Sequence, residues 1–284
     1  MKLKAALSRA RGILDESDIE NAPLEAELLL RHVLKINRTQ LYLDLEQELS
    51  PEGEKAFGHL VERRLSGEPA AYITGNREFY GLEFYVNPHT LIPRPESELL
   101  VETALRLAQS QSLSTIADIG TGCGAIAVSL ALELPRTRIY ATDISLAALE
   151  VALVNCQRHS VTDRIHLLQG DMLEPVPEPV DLIVANLPYV RQAEIAPDSF
   201  EPLLALDGGA EGTESIARLC RQAKSKLADG GSMLLEIGAG QGETITGLLK
   251  SLFPDGKIEV IPDLSSLERV VSLNLNASWA KVAK

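Results

Sequence analysis

Val180-Asp181-Leu182-Ile183-Val184-Ala185-Asn186-Leu187-Pro188-Tyr189 is the stretch on which the fold is read. Val180 to Val184 form an apolar run of the kind expected for a buried strand. A polar amide, a proline and an aromatic then stand where that strand should end. In an open parallel sheet, ligands bind beyond the carboxyl ends of the strands. Asn186 therefore falls where chemistry is expected, with a side-chain oxygen that accepts hydrogen bonds. Pro188 stiffens the turn by fixing its own φ. Tyr189 offers a flat apolar face with a polar tip. The group suits a planar ligand that carries N–H donors. A plain strand-to-loop turn with a satisfied Asn fits the same residues, so the neighbouring stretches must decide.

Outward from this strand, the chain alternates between two rhythms. Strands are expected near 115–119, 138–142, 164–169, 180–185 and 231–237, and helices near 123–134, 145–158, 213–228 and 241–252. That alternation predicts an α/β fold, a parallel sheet covered on both faces. The last two strands, near 257–262 and 269–275, leave no room for a crossover helix. Their join is expected to be antiparallel. No internal repeat or low-complexity tract is evident.

The first strand of this series runs into Asp118-Ile119-Gly120-Thr121-Gly122-Cys123-Gly124. Glycines let a backbone turn sharply and approach a ligand closely. Asp143 closes the second strand, about twenty residues on, where an acid binds a ribose diol. Asp171 follows the third strand. Together they describe an adenosine-shaped pocket across the strand ends. Gly120, Gly122 and Ala125 satisfy a dinucleotide fingerprint, and the same loop is the GxGxG of S-adenosylmethionine-type methyl donors. The loop alone does not separate them. A helix N-cap role for Asp143 is the structural alternative.

Residues 1 to about 72 read as a small helical bundle. Leu24, Leu28, Leu29 and Val33 repeat at helical spacing. Ser50-Pro51 is an N-cap and first-turn pair. Phe57, Leu60, Val61 and Leu65 mark one apolar face, and Gly67 closes that helix. Glu68-Pro69 breaks the pattern. Glu78 to Val86 reads as a β-hairpin with Gly81 as a turn point. Leu91-Ile92-Pro93-Arg94-Pro95-Glu96 is expected to be extended, because each proline pushes its predecessor out of the helical region. A helix follows with Leu99, Leu100, Ala104 and Leu107 on one side. The expected division is therefore 1–72 helical, 73–92 hairpin linker and 93–284 catalytic.

Composition narrows the function. A chain of 284 residues with 45% hydrophobic content can bury a sizeable core. Lys+Arg 27 against Asp+Glu 40 gives a net charge of -13. Broad nucleic-acid binding needs clustered Lys and Arg, so none is expected. No apolar run is long enough for a membrane span, and the start shows no signal-peptide pattern. Three cysteines without CxxC spacing suit a reducing cytoplasm. Five scattered histidines give no zinc pattern, so no metal is expected. The oligomeric state is left open.

Asn186-Leu187-Pro188-Tyr189 resembles the Asn-Pro-Pro-Tyr motif of amino-group methyltransferases. Glu68-Pro69-Ala70-Ala71-Tyr72-Ile73-Thr74-Gly75, Glu78-Phe79-Tyr80-Gly81 and Leu91-Ile92-Pro93-Arg94-Pro95-Glu96 together resemble the signature of release factor glutamine methyltransferases. Glu201-Pro202 before Gly208-Gly209, and Glu236-Ile237-Gly238 with Gln241-Gly242, extend the likeness over nearly the whole chain. The resemblance implies a seven-stranded class I S-adenosylmethionine-dependent methyltransferase (Rossmann-like) sheet, with an N-terminal helical bundle that docks the substrate. It implies a methyl donor, S-adenosylmethionine, with S-adenosylhomocysteine as product, and a class-one peptide chain release factor as partner, modified on the glutamine of its Gly-Gly-Gln motif. Asn186, Leu187, Pro188 and Tyr189 are then the implied catalytic group. Gly120, Thr121, Gly122, Cys123, Gly124, Asp143, Asp171, Met172 and Asn186 are the implied cofactor ligands. Leu187 departs from the family's usual proline; since the family uses the backbone carbonyl there, activity is expected to persist. Arg94 and Glu96 are expected near the site or in an interdomain salt bridge. A ribosomal-protein glutamine methyltransferase, a DNA adenine methyltransferase and a nicotinamide oxidoreductase are the competing readings.

Overall fold

A computed structural model describes residues 1–197 and 199–276. Its chain divides into two compact units, Met1–Asn76 and Arg77–Lys284.

The first unit is helical: α1 (Leu3–Asp15), α2 (Ala22–Leu34), α3 (Arg38–Leu43), α4 (Pro51–Leu65) and the short α5 (Ala70–Thr74). Its ends follow local chemistry. Ser50 Oγ accepts from Gly53 N at 3.0 Å, with Pro51 in the first turn of α4. Asn37 and Gln40 close a reciprocal capping box on α3. The core is built from Leu3, Leu7, Leu14, Leu29, Leu30, Leu41, Phe57 and Val61. One expectation is corrected here: Leu24 and Leu28 are exposed, and α2 instead buries Ala22, Ala26, Leu29 and Leu30. Four leucines crowd one stretch, so two faces had the right spacing and packing chose the second. Leu65 is likewise exposed. Tyr72 is buried in α5.

A hairpin follows in the chain, β1 (Asn76–Phe79) and β2 (Leu82–Tyr85). Tyr80 and Gly81 join the strands with φ of 53° and 69°. Two successive positive φ values are what a tight two-residue hairpin turn requires. Phe79 and Phe84 are fully buried and meet edge to face at 6.2 Å. The aromatic run thus serves packing. Pro95–Ser97 form a 3-10 turn, not a continued extended segment, and lead into α6 (Glu98–Ser110).

The main sheet holds β3 (Thr115–Ile119), β4 (Arg138–Asp143), β5 (Ile165–Gln169), β6 (Val180–Ala185), β7 (Leu227–Glu236), β8 (Lys257–Pro262) and β9 (Glu268–Asn274) in the order β5-β4-β3-β6-β7-β9-β8. β3 to β7 run parallel, and β9 lies antiparallel to both neighbours. The remaining helices are α7 (Ala125–Glu133), α8 (Leu146–Arg158), α9 (Glu214–Ala223) and α10 (Gly242–Leu252). α9 ends earlier than its sequence pattern suggests, because β7 already starts at Leu227. Every residue of α7 from Ala125 to Ala131 is buried, as its unbroken apolar sequence requires. β4 and β6 flank β3 on opposite sides, so the strand order reverses there. That reversal opens the crevice in which such sheets take ligands.

Candidate active site

Register makes the site. Ile119 pairs with Thr142 on one side and with Ala185 on the other. The next residue along each chain is therefore Gly120, Asp143 or Asn186, all delivered level at one sheet edge. They line a cavity of about 300 Å³, shared with Thr121, Gly122, Cys123, Asp171, Met172, Leu187, Pro188, Ser97 and Arg218. That volume lies at the lower end of small-molecule sites.

The glycine loop is bent as its composition allows. Gly120, Gly122 and Gly124 all have positive φ. A Cβ on Gly122 would meet nothing within 4 Å, so open space lies against that backbone. Gly124 does not line the cavity. It begins α7, and a Cβ there would press on Ala152 of α8 at 3.3 Å. Its need is close helix packing. The Thr121 hydroxyl donates to Asp118 Oδ2 at 2.6 Å beneath the loop. Asp118 Oδ1 is buried and finds no partner among the described residues. Burial pushes the Asp118 carboxyl up to about 6 against the pull of that hydroxyl.

Asp143 Oδ2 accepts from Gly122 N at 2.9 Å, and Oδ1 accepts from Ser145 N at 2.9 Å. The N-cap of α8 is Ser145, whose hydroxyl accepts from Ala148 N. Asp143 is therefore not the cap. A carboxylate offers about four acceptor sites, so two bonds leave capacity for a diol. Burial raises its pKa, while the bonds from Ser145 and Gly122 oppose the rise. Asp171 is paired with Arg218 at 3.1 Å. Cys123 is buried and its thiol is pushed up to about 12, which makes it inert.

At the tip of β6, Asn186 Nδ2 donates to Ser97 Oγ at 2.9 Å. Its carbonyl oxygen is left as the free end of a cavity-lining side chain. Tyr189 does not line the cavity. Its hydroxyl donates to Glu236 Oε1 at 3.2 Å, and its ring packs on the core. Burial pushes that phenol up to about 12. Its carbonyl accepts from Gln241 Nε2, which also donates to Gly212 O, each at 3.1 Å. The cavity rim at 92–94 is tied down by Glu201: Ile92 N donates to Oε1 at 3.0 Å and Arg94 pairs with Oε2. Glu96 is exposed. Sequence reasoning gave no role to Ser97, Gln241 or Glu236. A Ser just ahead of a helix is the only local signal for Ser97, and it reads as a cap.

A mixed seven-stranded sheet with one reversed strand, a glycine loop and an acid at the adjoining strand end define a class I S-adenosylmethionine-dependent methyltransferase. Two family models match, the PrmC N-terminal domain over residues 5–75 and the methyltransferase small domain over 95–260. The chain is 41% identical to the release factor glutamine methyltransferase of Moorella thermoacetica, over 95% of this chain and 97% of that protein. It is 38% identical to the enzyme of the same name from Cereibacter sphaeroides, over 98% and 100%. In fold it is similar to a methyltransferase from Pyrococcus furiosus, with a TM-score of 0.51 at 18% identity over 69% of this chain and 90% of that one. The chain belongs to the release factor glutamine methyltransferase family. It is a protein-glutamine methyltransferase that uses S-adenosylmethionine.

The residues fit that donor. Open space lies over Gly122, and Asp143 retains acceptor capacity beside it. No helix among the described residues is long and apolar enough to cross a membrane.

Proposed function

We propose that the chain methylates the side-chain amide nitrogen of the glutamine in the Gly-Gly-Gln motif of a class-one release factor. The observation that carries this reading is the orientation of Asn186: its NH₂ is spent on Ser97, so a carbonyl oxygen is what it offers to the cavity. An amide nitrogen is a weak nucleophile, because its lone pair is delocalised. S-adenosylmethionine, when bound, supplies a methyl group made electrophilic by its sulfonium. The protein's contribution is then orientation, holding reacting atoms about 3–3.5 Å apart. Asn186 Oδ1 and the Leu187 carbonyl accept the two amide hydrogens and fix the plane of the substrate carboxamide. Accepting those hydrogens also disperses positive charge as it grows on nitrogen. Pro188 stiffens the turn that carries both acceptors. Tyr189 acts from behind, through Glu236 and Gln241, rather than against the substrate.

For the donor, Gly120, Thr121, Gly122 and Cys123 supply the close backbone wall, Asp143 the diol acceptor, and Asp171 and Met172 the adenine side. Gly124 contributes by packing α7 onto α8. The helical unit at 1–72 docks the release factor, the hairpin within 73–92 links, and 93–284 catalyses. A soluble, cytoplasmic setting agrees with that substrate.

The test is direct. The protein is incubated with labelled donor and a purified release factor, and the modified peptide is located by mass. Label on the Gly-Gly-Gln glutamine is expected; label on another residue, or on a ribosomal protein instead, would overturn the reading.

A further inference from the structure

Behind Asn186 lies a short polar chain that the proposed reaction does not yet use. Asn186 Nδ2 donates to Ser97 Oγ at 2.9 Å. Ser97 is buried, in the turn that opens α6. Beyond it is Glu236, at the end of β7, with only 1% of its surface exposed. Tyr189 donates to Glu236 Oε1. Oε2 is buried, and no described residue meets it in hydrogen-bond geometry. Burial pushes the Glu236 carboxyl up, and the neighbouring Ser97 and Tyr189 hydroxyls pull against that rise. Leu235, next to Glu236, pairs with Ala185, next to Asn186, so strand register holds this alignment.

The chemistry of these groups gives the chain a direction. An ionised carboxylate only accepts. A hydroxyl both donates and accepts, so alone it leaves the order of an amide undecided. An asparagine can rotate to present either its oxygen or its NH₂. A Ser97 hydrogen turned toward the unpartnered Glu236 Oε2 would leave only lone pairs facing Asn186. Asn186 must then point its NH₂ inward and its oxygen outward. A reversed amide would set NH₂ against the NH₂ of a substrate glutamine.

We propose that the Ser97 hydroxyl gives its hydrogen to Glu236, and that the two are positioning residues that fix which end of the Asn186 carboxamide faces the cavity and so make the site selective for a substrate bearing hydrogen-bond donors. The inference rests on the role assigned to Asn186 above. Tyr189 belongs to the same chain: its hydroxyl holds the second side of Glu236, which accounts for an aromatic with a polar tip at that motif position.

Three variants of the full chain test it. Ser97→Ala is expected to lower kcat at least tenfold while cofactor Kd stays within twofold. Glu236→Gln, which keeps volume but can donate as well as accept, is expected to lower kcat severalfold with the same unchanged Kd. In an Asn186→Ala background, adding Ser97→Ala should cost less than a further twofold, because the relay then has nothing to orient. Independently of turnover, selective ¹⁵N-asparagine labelling reports the Asn186 side-chain amide. Its hydrogens should exchange slowly in the parent and at least tenfold faster in Ser97→Ala and Glu236→Gln. Full kcat in either single variant, additive losses in the double variant, or unchanged amide exchange would overturn the relay. If the parent leaves every release factor unmodified, the substrate assignment fails, and the exchange measurement still decides the relay.

Discussion

Gly120 and Leu187 face each other so closely that a Cβ on the glycine would lie 3.0 Å from Leu187 Cδ2. The glycine also has a φ of 69°. A residue with a Cβ pays about 1–2 kcal/mol for that conformation. Gly120→Ala should therefore weaken cofactor binding at least tenfold by calorimetry. Adding Leu187→Ala removes the contact but not the backbone strain, so only part of the affinity should return. Full recovery would show that sterics alone were responsible.

Leu187→Pro asks what the departure from the usual motif costs. The Leu187 side chain is buried against the core under the loop. Proline keeps the backbone carbonyl and removes rotation about φ. We expect kcat to stay within threefold and cofactor affinity to be unchanged. A tenfold rise in kcat would mean that the leucine leaves the acceptor pair too mobile.

Asp143 accepts from two backbone N–H groups, on Gly122 and Ser145. Asp143→Asn can answer only one of them with oxygen, and its NH₂ opposes the other. Leaving a buried donor unpaired costs about 1–3 kcal/mol. Cofactor Kd should rise at least tenfold, with a lowered Tm even without cofactor. A variant that loses affinity with no change in Tm would confine Asp143 to ligand binding.

The buried Asp118 sets a pH dependence. Its carboxyl stands at about 6, against an ordinary 3.8. The folded state thus keeps a proton that the unfolded chain releases first. Between about pH 4 and 6 this group's contribution to stability falls as pH rises, and it is level above that. The shift corresponds to about 3 kcal/mol at most. Asp118→Asn stays neutral throughout and can still accept from Thr121. Its stability relative to the parent should therefore increase from pH 4.5 to pH 7 in denaturant melts. Parallel curves would show that Asp118 is not the titrating group.

The parts of this site that sequence revealed are those written locally. An apolar run that ends in Asn186, and a strand that ends in the glycine loop, each carry their meaning within ten residues. The reversed β9 was legible because the chain between β8 and β9 is too short for a crossover. What could not be read depends on register between distant segments. Ser97 meets Asn186 across the sheet edge, and Glu236 reaches the same place only because β7 pairs beside β6. Both lie in or beside stretches that carry the family resemblance, but nothing local joins either residue to Asn186. The face of α2 shows a different limit: spacing named a helix, but four leucines in one stretch offered two inward directions. Tyr189 sits in the motif yet turns its hydroxyl to Glu236, a choice made by tertiary packing.

Asn155 of α8 bonds to both the hairpin and the glycine loop. Its Oδ1 accepts from Tyr85 N at 2.7 Å, and its Nδ2 donates to Tyr85 O at 2.9 Å and to Cys123 O at 2.8 Å. One carboxamide thus completes the open edge of the hairpin as a further strand would, and staples the glycine loop from below. The two segments should breathe as one: amide protons at Tyr85 and Gly124 would slow together when the nucleoside pocket fills, carrying news of an occupied pocket to the hairpin.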